Sequence, residues 1–427
     1  MTEGTEPLSY DVIVLGAGYA GLMAALGLAG RNKLARVALV SESDTFVERI
    51  RLQEGVSGTV APRMPRLDEF LAKTKVEFIR GRVGALDAVK RRVRVEIDSG
   101  GREFAFDRCI YALGSRIDDA SVRGVAEHAY RLDAGTGSRR VDALRSKLEA
   151  TAGTSVRVVI VGGANTATEA AAEIKATWPS AEVTMISRSR CGDFKKGPLL
   201  EQIAREELER LGVRLVDRQT IVEVRAAEIV TAFGDTIPAD ICVWAGGLRV
   251  APIAKDAGLA VDQQDRILVG PMLSSISHPH VLAVGDAAHP TAPTGARYRM
   301  SAFAAIISAA YAAKRIVDEA RGRKPRPFSY AAYGQGVAIG RSGVGFFTFP
   351  NDGDAYFLLR GPFALRVRNL FVWALVFFLK LERRYPGSAL FWIGRRRVSW
   401  KRAMEPMSTA AADQMPASNR PSQMVQP

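Results

Sequence analysis

Cysteine is scarce in these 427 residues, and the three present, Cys109, Cys191 and Cys242, stand far apart. No C-x-x-C or C-x4-C pair exists, so neither a dithiol relay nor an iron–sulfur cluster is written in the chain, and buried or incidental thiols are the simpler reading. Four scattered histidines give no metal-ligand spacing. The first residues, MTEGTEPLSYD, are polar and acidic with no apolar core, so nothing there reads as a secretory signal. No grouping of Ser, His and acid resembles a nucleophilic triad. Acids are missing from one region in particular. Between Arg360 and Arg402, Glu382 stands alone against 11 Lys or Arg, so this segment holds +10 of the net +14. The rest of the composition, 24% charged and 47% hydrophobic, is ordinary, and the length allows two or three domains with real cores.

What is present is a stretch from Asp11 to Glu42 that reads strand, glycine turn, helix, strand. Val12-Ile13-Val14-Leu15 has the β-branched character of a parallel strand buried on both faces. Gly16-Ala17-Gly18-Tyr19-Ala20-Gly21 then fits G-x-G-x-x-G. Gly16 supplies the tight turn, Gly18 leaves room for a diphosphate, and Gly21 lets the helix pack close to the strand. Free N–H groups and the dipole at the helix start favour that diphosphate. The second strand ends at Glu42, 21 residues past Gly21, where a carboxylate can accept from an adenosine ribose.

The unit occurs twice. Shifted by 146 residues, Val158 to Val161 falls on Val12 to Leu15, and Gly162-Gly163-Ala164-Asn165-Thr166-Ala167 falls on the glycine turn. The second copy keeps the first glycine and puts alanine at the other two places, so a methyl at Ala164 narrows the room above the backbone. Two such units predict a redox enzyme with two dinucleotides, one held and one exchanging. Glu169 lies in the first turns of the second helix. It reads equally as a solvated helix-start carboxylate favoured by the dipole and as a group facing the reacting rings. Where the first unit has Ser41-Glu42, the second has Ser187-Arg188-Ser189-Arg190. Arg188 and Arg190 can hold a 2′-phosphate, so the expectation leans to NADPH over NADH.

Between and beyond the units, the pattern predicts a helix over Arg66–Lys75, strands and a hairpin over Glu77–Arg108 turning at Ser99–Gly101, and helices over Arg139–Glu149 and Leu199–Leu211. The strand Cys109–Ala112 closes on Leu113-Gly114-Ser115, where a backbone can pass close to a cofactor. Pro279–Ala288 is an apolar strand running into Gly285-Asp286, in which the glycine admits a cofactor chain and the aspartate can accept from a sugar-like hydroxyl.

DVIVLGAGYAGL, YALGS, RVVIVGGANTATEAAAEI and HVLAVGDAA follow the order found in two-dinucleotide flavoproteins. Over residues 8–320 the chain resembles the pyridine nucleotide-disulfide oxidoreductase superfamily, and within it the type II NADH dehydrogenases and apoptosis-inducing-factor-like reductases. The resemblance implies FAD at Gly16, Gly18, Gly21, Glu42 and Asp286, the last on the ribityl chain, and NAD(P)H at Gly162, Ala164 and Ala167. It also implies that Glu169 stands near the flavin–nicotinamide junction. The lack of a dithiol excludes disulfide reductase and sulfide:quinone oxidoreductase chemistry. The quinone-reducing branch carries an Ala-Gln-x-Ala-x-Gln-like helix after the Gly-Asp motif, whereas Ala296–Ala304 here reads ARYRMSAFA, without glutamine. From chain order alone, Arg49, Arg51 and Gln53 are candidates to cover the flavin ring.

Leu370–Leu379 is ten consecutive apolar residues edged by Arg366, Arg368, Lys380, Arg383 and Arg384. A helix of that length, about 15 Å, covers half a hydrocarbon core, so it is expected to lie on an anionic membrane surface and not to cross it. Ala389–Ile393, followed by three arginines, repeats the theme. The alternative is a homodimer interface with a basic rim. No nucleic-acid-binding fold accompanies the charge.

The expected fold is α/β, with two Rossmann-like units, the second inserted in the first. Residues 1–120 and 251–322 form the FAD domain, 121–250 the NAD(P)H domain, 323–402 a C-terminal domain with a membrane-surface or interface helix, and 403–427 a disordered tail. The expected function is an FAD-dependent NAD(P)H oxidoreductase that passes electrons to a quinone or small molecule, peripheral on the cytoplasmic membrane face. A soluble reductase for a ferredoxin, rubredoxin or biosynthetic substrate is the alternative, followed by a nucleotide sensor with negligible turnover.

Overall fold

A computed structural model of the chain describes residues 7–31, 35–58, 64–132, 139–194, 198–348 and 355–392. The acidic N-terminus, the arginines after Ile393 and the tail from 403 lie outside these residues. The first sheet is built on β1 (Leu8–Leu15), β2 (Val37–Ser41), β3 (Val76–Arg80) and β4 (Gly100–Tyr111), in the order β3-β2-β1-β4, all parallel. Strands Arg82–Asp87 and Arg92–Ile97 pair antiparallel beside the first half of β4. Helix α1 (Tyr19–Arg31) follows the glycine turn, and Tyr19 to Leu28 are buried all round. An all-apolar helix needs cover on every side. Here the sheet supplies one side, and helices that arrive much later in the chain supply the others.

A second parallel sheet holds β5 (Ala129–Arg131), β6 (Arg157–Val161), β7 (Glu182–Ile186), β8 (Arg214–Val216) and β9 (Ile241–Trp244), in the order β8-β7-β6-β9-β5. Between these strands run helices α3 (Arg139–Ala150), α4 (Asn165–Thr177) and α5 (Pro198–Arg210); the short α2 (Leu52–Ser57) belongs to the first unit. The chain passes into this sheet through Ser115–Ile117 and leaves it through Leu248–Val250, which pair antiparallel. Strand β10 (Val281–Ala283) then returns to the first sheet and pairs parallel with β4, Val281 opposite Cys109. The second unit is therefore inserted in the first.

Helix α6 (Ala302–Ala320) covers α1, and Ser301 caps it by accepting from the Ala304 amide at 3.2 Å. The two helices approach closely because α1 has Gly27 at the crossing, where a Cβ would come within 3.0 Å of the Ala313 methyl. An antiparallel sheet, β11 (Gly334–Ile339), β12 (Ser342–Thr348) and β13 (Ala355–Arg360), leads into α7 (Gly361–Arg384).

Two expectations need correction. The helix expected over Arg66–Lys75 spans only Leu67–Leu71, because Ala72 is extended and Lys73 turns left-handed at φ 64°. The apolar decapeptide is the middle of α7, which has 24 residues and is about 36 Å long. By length and composition α7 could cross a membrane, so shortness does not exclude it. Packing is the stronger constraint. Ala364, Arg368, Val372, Val376, Leu379 and Glu382 form one buried stripe against the body. Phe363, Leu370, Phe371, Trp373 and Phe377 remain exposed on the other faces.

Candidate functional site

At the carboxyl end of the first sheet, Gly16 turns at φ 97° and its amide donates to Val40 O at 2.8 Å. A Cβ on Gly21 would overlap the Gly16 carbonyl oxygen, so only glycine lets α1 start so close to β1. Gly18 has nothing within 4 Å of a Cβ position, which leaves an open cradle at the helix start. Ala17, Tyr19 and Ala20 are buried around it. The Tyr19 hydroxyl is buried with no hydrogen-bond partner among the described residues, and its ring stands edge-on to Phe46 at 4.9 Å. Glu42 is exposed just past the end of β2.

Residues distant in sequence meet at this edge. Gly285, at φ 63°, packs beside Ala20, where a Cβ would lie 3.1 Å from the Ala20 methyl. Its amide donates to Ser308 Oγ at 3.0 Å, and its carbonyl accepts from Tyr298 at 3.0 Å. Ser115 donates to Asp286 at 2.6 Å, and Arg49 Nη1 donates to Ser115 O at 2.7 Å. Gly114, at φ 69°, is open where a Cβ would point. Gly16–Gly21, Arg49, Gly114 and Gly285–Asp286 thus line one edge, where ligands of open α/β sheets sit. An open cradle at the helix start fits an FAD diphosphate.

In the second unit Gly162 takes φ 149° and its amide donates to Ile186 O at 2.8 Å. Gly163 has no room for a side chain beside Ser187. Ala164 is exposed at the N-cap of α4 with φ −100°, a conformation that needs no glycine, while Ala167 is buried. The turn therefore remains able to hold a diphosphate. Arg188 is exposed, but Arg190 pairs with Glu201. The groove of about 490 Å³ beside it is lined also by Glu206 and Glu209, which weighs against a second phosphate at Arg190.

Glu169 is buried, not a solvated helix-start acid. Its Oε1 accepts from the Ala338 amide at 2.9 Å and from Arg368 Nη2 at 3.0 Å, and its Oε2 accepts from Gln53. Arg368 donates also to Glu54 and to Ile50 O at 3.3 Å. Arg51 joins Glu54 at 2.6 Å and Glu48 at 3.3 Å. Arg51 and Gln53, candidates to cover a ring, are engaged with these carboxylates. Burial pushes the Glu169 carboxyl above the usual range against the pull of Arg368 and the Ala338 amide, and nearby Glu54 adds to the rise. Arg368 loses from burial, yet Glu169 and Glu54 outweigh that and hold it above its ordinary value. One guanidinium serves two carboxylates.

Sequence reasoning missed Arg368, Glu54 and Ala338. A trace of Arg368 was readable, since it is the one cation on a stripe that also holds Ala364, Val372, Val376, Leu379 and Glu382. The thiols take no part. All three are buried, and burial pushes Cys191 and Cys242 to about 12. No cluster of metal-ligating groups occurs among the described residues.

Two Rossmann-like sheets, the second inserted in the first and each opening on a glycine turn, define a two-dinucleotide flavoprotein. The chain belongs to the pyridine nucleotide-disulphide oxidoreductase family, whose profile matches residues 10–313. It is an FAD-dependent NAD(P)H oxidoreductase. It is 24% identical over 370 residues to demethylphylloquinone reductase NdbB of Synechocystis, covering 84% of this chain and 90% of that one. It is 24% identical over 380 residues to the type II NADH:quinone oxidoreductase of Haemophilus influenzae, covering 77% and 85%. In fold it is similar to NDH2 of Plasmodium falciparum in complex with NADH, with TM-score 0.73, 14% identity and coverage of 90% and 99%.

Proposed function

We propose that the protein moves electrons from NAD(P)H to a quinone at a membrane surface. The observation that carries this reading is its similarity, across most of their length, to a demethylphylloquinone reductase and an NADH:quinone oxidoreductase. The start of α1, with Gly16, Gly18 and Gly21, holds the FAD diphosphate, and Glu42 takes the ribose hydroxyls. Arg49 fixes the Gly114–Ser115 strand end, and Asp286, oriented by Ser115, accepts from the ribityl chain. Gly162, Gly163, Ala164 and Ala167 hold the NAD(P)H diphosphate at the start of α4, with Arg188 beside the adenosine. When bound, FAD supplies the two-electron chemistry that links nucleotide to acceptor. Glu169 holds its carboxylate at the junction of the two units and helps orient the nicotinamide.

The exposed strip of α7 supports the membrane part. Phe363, Leu370, Trp373 and Phe377 recur at helical spacing, with Arg366 exposed between the first two and Lys380 and Arg384 exposed beyond the last. Aromatics edged by cations suit an anionic headgroup layer, with roughly 1 kcal/mol per basic residue near it. The same cations favour an acidic carrier protein as the second reading.

The test is an anaerobic titration of the bound flavin with NADH and NADPH, followed by turnover with a quinone in vesicles and with ferredoxin. Bleaching by either nucleotide and turnover with quinone is the expected result, and a faster response to NADPH would assign Arg188 to a 2′-phosphate. Turnover with ferredoxin alone would overturn the quinone assignment. Flavin that neither nucleotide bleaches would leave only a nucleotide-binding sensor.

A further inference from the structure

Arg368 stands in an expensive place. It is 4% exposed, at a helix position whose neighbours one turn away on the same stripe are Ala364 and Val372. A buried cation between carboxylates is commonly no more stabilising than packed apolar side chains of the same volume. The surroundings are nonetheless shaped to admit it. On β11, Gly336 faces the Arg368 stem, and a Cβ there would lie 2.6 Å from the Arg368 Cβ. The guanidinium then reaches three separate parts of the molecule: Ile50 O and Glu54 of the first unit, Glu169 on α4 of the second, and Asn369 Oδ1 of its own helix. The same Glu169 oxygen takes the Ala338 amide from β11. Glu169 is therefore held by two elements of the C-terminal part, α7 and β11, as much as by its own helix.

Among the described residues, the opposite face of α7 carries exposed apolar side chains. Trp373 and Phe377 stack there at 5.0 Å, and Leu370 and Phe371 are exposed beside them. We propose that Arg368 is a positioning residue through which the apolar face of α7, when seated on an anionic lipid surface, fixes the carboxylate of Glu169. The proposal rests on the reading that this face meets a membrane. Its geometric content is that a helix seated on lipid can shift or stiffen only by carrying Arg368 with it. Arg368 cannot move without changing the bonds to Glu169 and, through its shared oxygen, the Ala338 amide.

The test is hydrogen exchange at the Ala338 amide in the full chain, with and without vesicles of phosphatidylglycerol in phosphatidylcholine, read beside the rate of flavin bleaching by NADH. In the wild type, anionic vesicles are expected to change both by about tenfold or more, the scale on which small misplacements act. Arg368→Met should abolish that response, and Arg368→Lys should keep part of it. Gly336→Ala, which leaves every charge in place but pushes on the arginine stem, should reproduce the loss. Trp373→Ser with Phe377→Ser touches none of these groups and should remove the response to vesicles while leaving lipid-free bleaching unchanged.

Protein that pellets with the vesicles yet shows unaltered Ala338 exchange overturns the coupling. So does Arg368→Met with wild-type exchange and response. Bleaching without vesicle binding defeats the coupling and the membrane assignment but not the reductase. Flavin that no nucleotide bleaches defeats the reductase, and amide exchange still decides the coupling.

Discussion

At the scale of single residues, the glycine turn separates two demands that one motif usually hides. Gly18 has open space where a methyl would go, so Gly18→Ala should fold with a stability within about 0.5 kcal/mol of the parent. It should lose flavin on gel filtration, because the methyl occupies the room a diphosphate needs. Gly21→Ala should do the opposite. Its methyl collides with the Gly16 carbonyl, so urea unfolding should show a loss of about 1–3 kcal/mol or more, before any question of flavin. A pair equally poor in flavin and equally stable would show that the motif has one role. Glu169 makes a separate prediction. Its folded pKa is raised, so over the window from the ordinary carboxylate range up to that raised value the native state holds a proton that the unfolded chain has lost. This contribution to stability is present at low pH and lost as pH rises through the window. Urea midpoints compared between about pH 5 and about pH 8 should therefore fall more steeply in the wild type than in Glu169→Gln.

At the scale of elements, α7 decides how the molecule could meet a bilayer. Arg368 and Glu382 lie on its inner stripe, and Glu382 accepts from Arg31, Ser388 and the amides of Gly387 and Ala389. Pulling the helix into hydrocarbon would break both sets of bonds and strand the charges, at several kcal/mol each. Alkaline carbonate should thus release the protein from membranes, and retention in the pellet would mean that α7 leaves the body and crosses. The two β–α–β units were legible in sequence because parallel strands buried on both faces read as unbroken apolar runs, Val12–Leu15 and Val158–Val161, and because glycine requirements at turns are local. The length of α7 was not legible. Arg366 and Arg368 interrupt the apolar run, and Arg368 makes sense only beside Glu54 and Glu169, which lie 314 and 199 residues upstream. The burial of Glu169 was hidden for the same reason, since Arg368 and Ala338 come from strands and helices that no local pattern ties to α4. The strand that runs into Gly285-Asp286 was visible as a motif, but the bond of Asp286 to Ser115 was not.

At the scale of the whole molecule, the chain closes on itself late. The inserted sheet begins and ends at the antiparallel pair Ser115–Ile117 and Leu248–Val250, and the first sheet is completed only when Val281–Ala283 pairs with β4. Helix α1 waits longer still, because its cover comes from Ala302–Ala320 and Gly361–Arg384. On the ribosome, the second nucleotide unit has its five strands in hand before the first does, which reverses the usual order in which N-terminal domains fold first. During that interval a helix with no polar side is already made and has only one face covered, by the unfinished sheet. Nascent chains of this protein therefore carry an apolar helix near the beginning and its helical cover near the end, so slowing elongation over the intervening residues is expected to lower the recovered fraction even where the finished fold is equally stable.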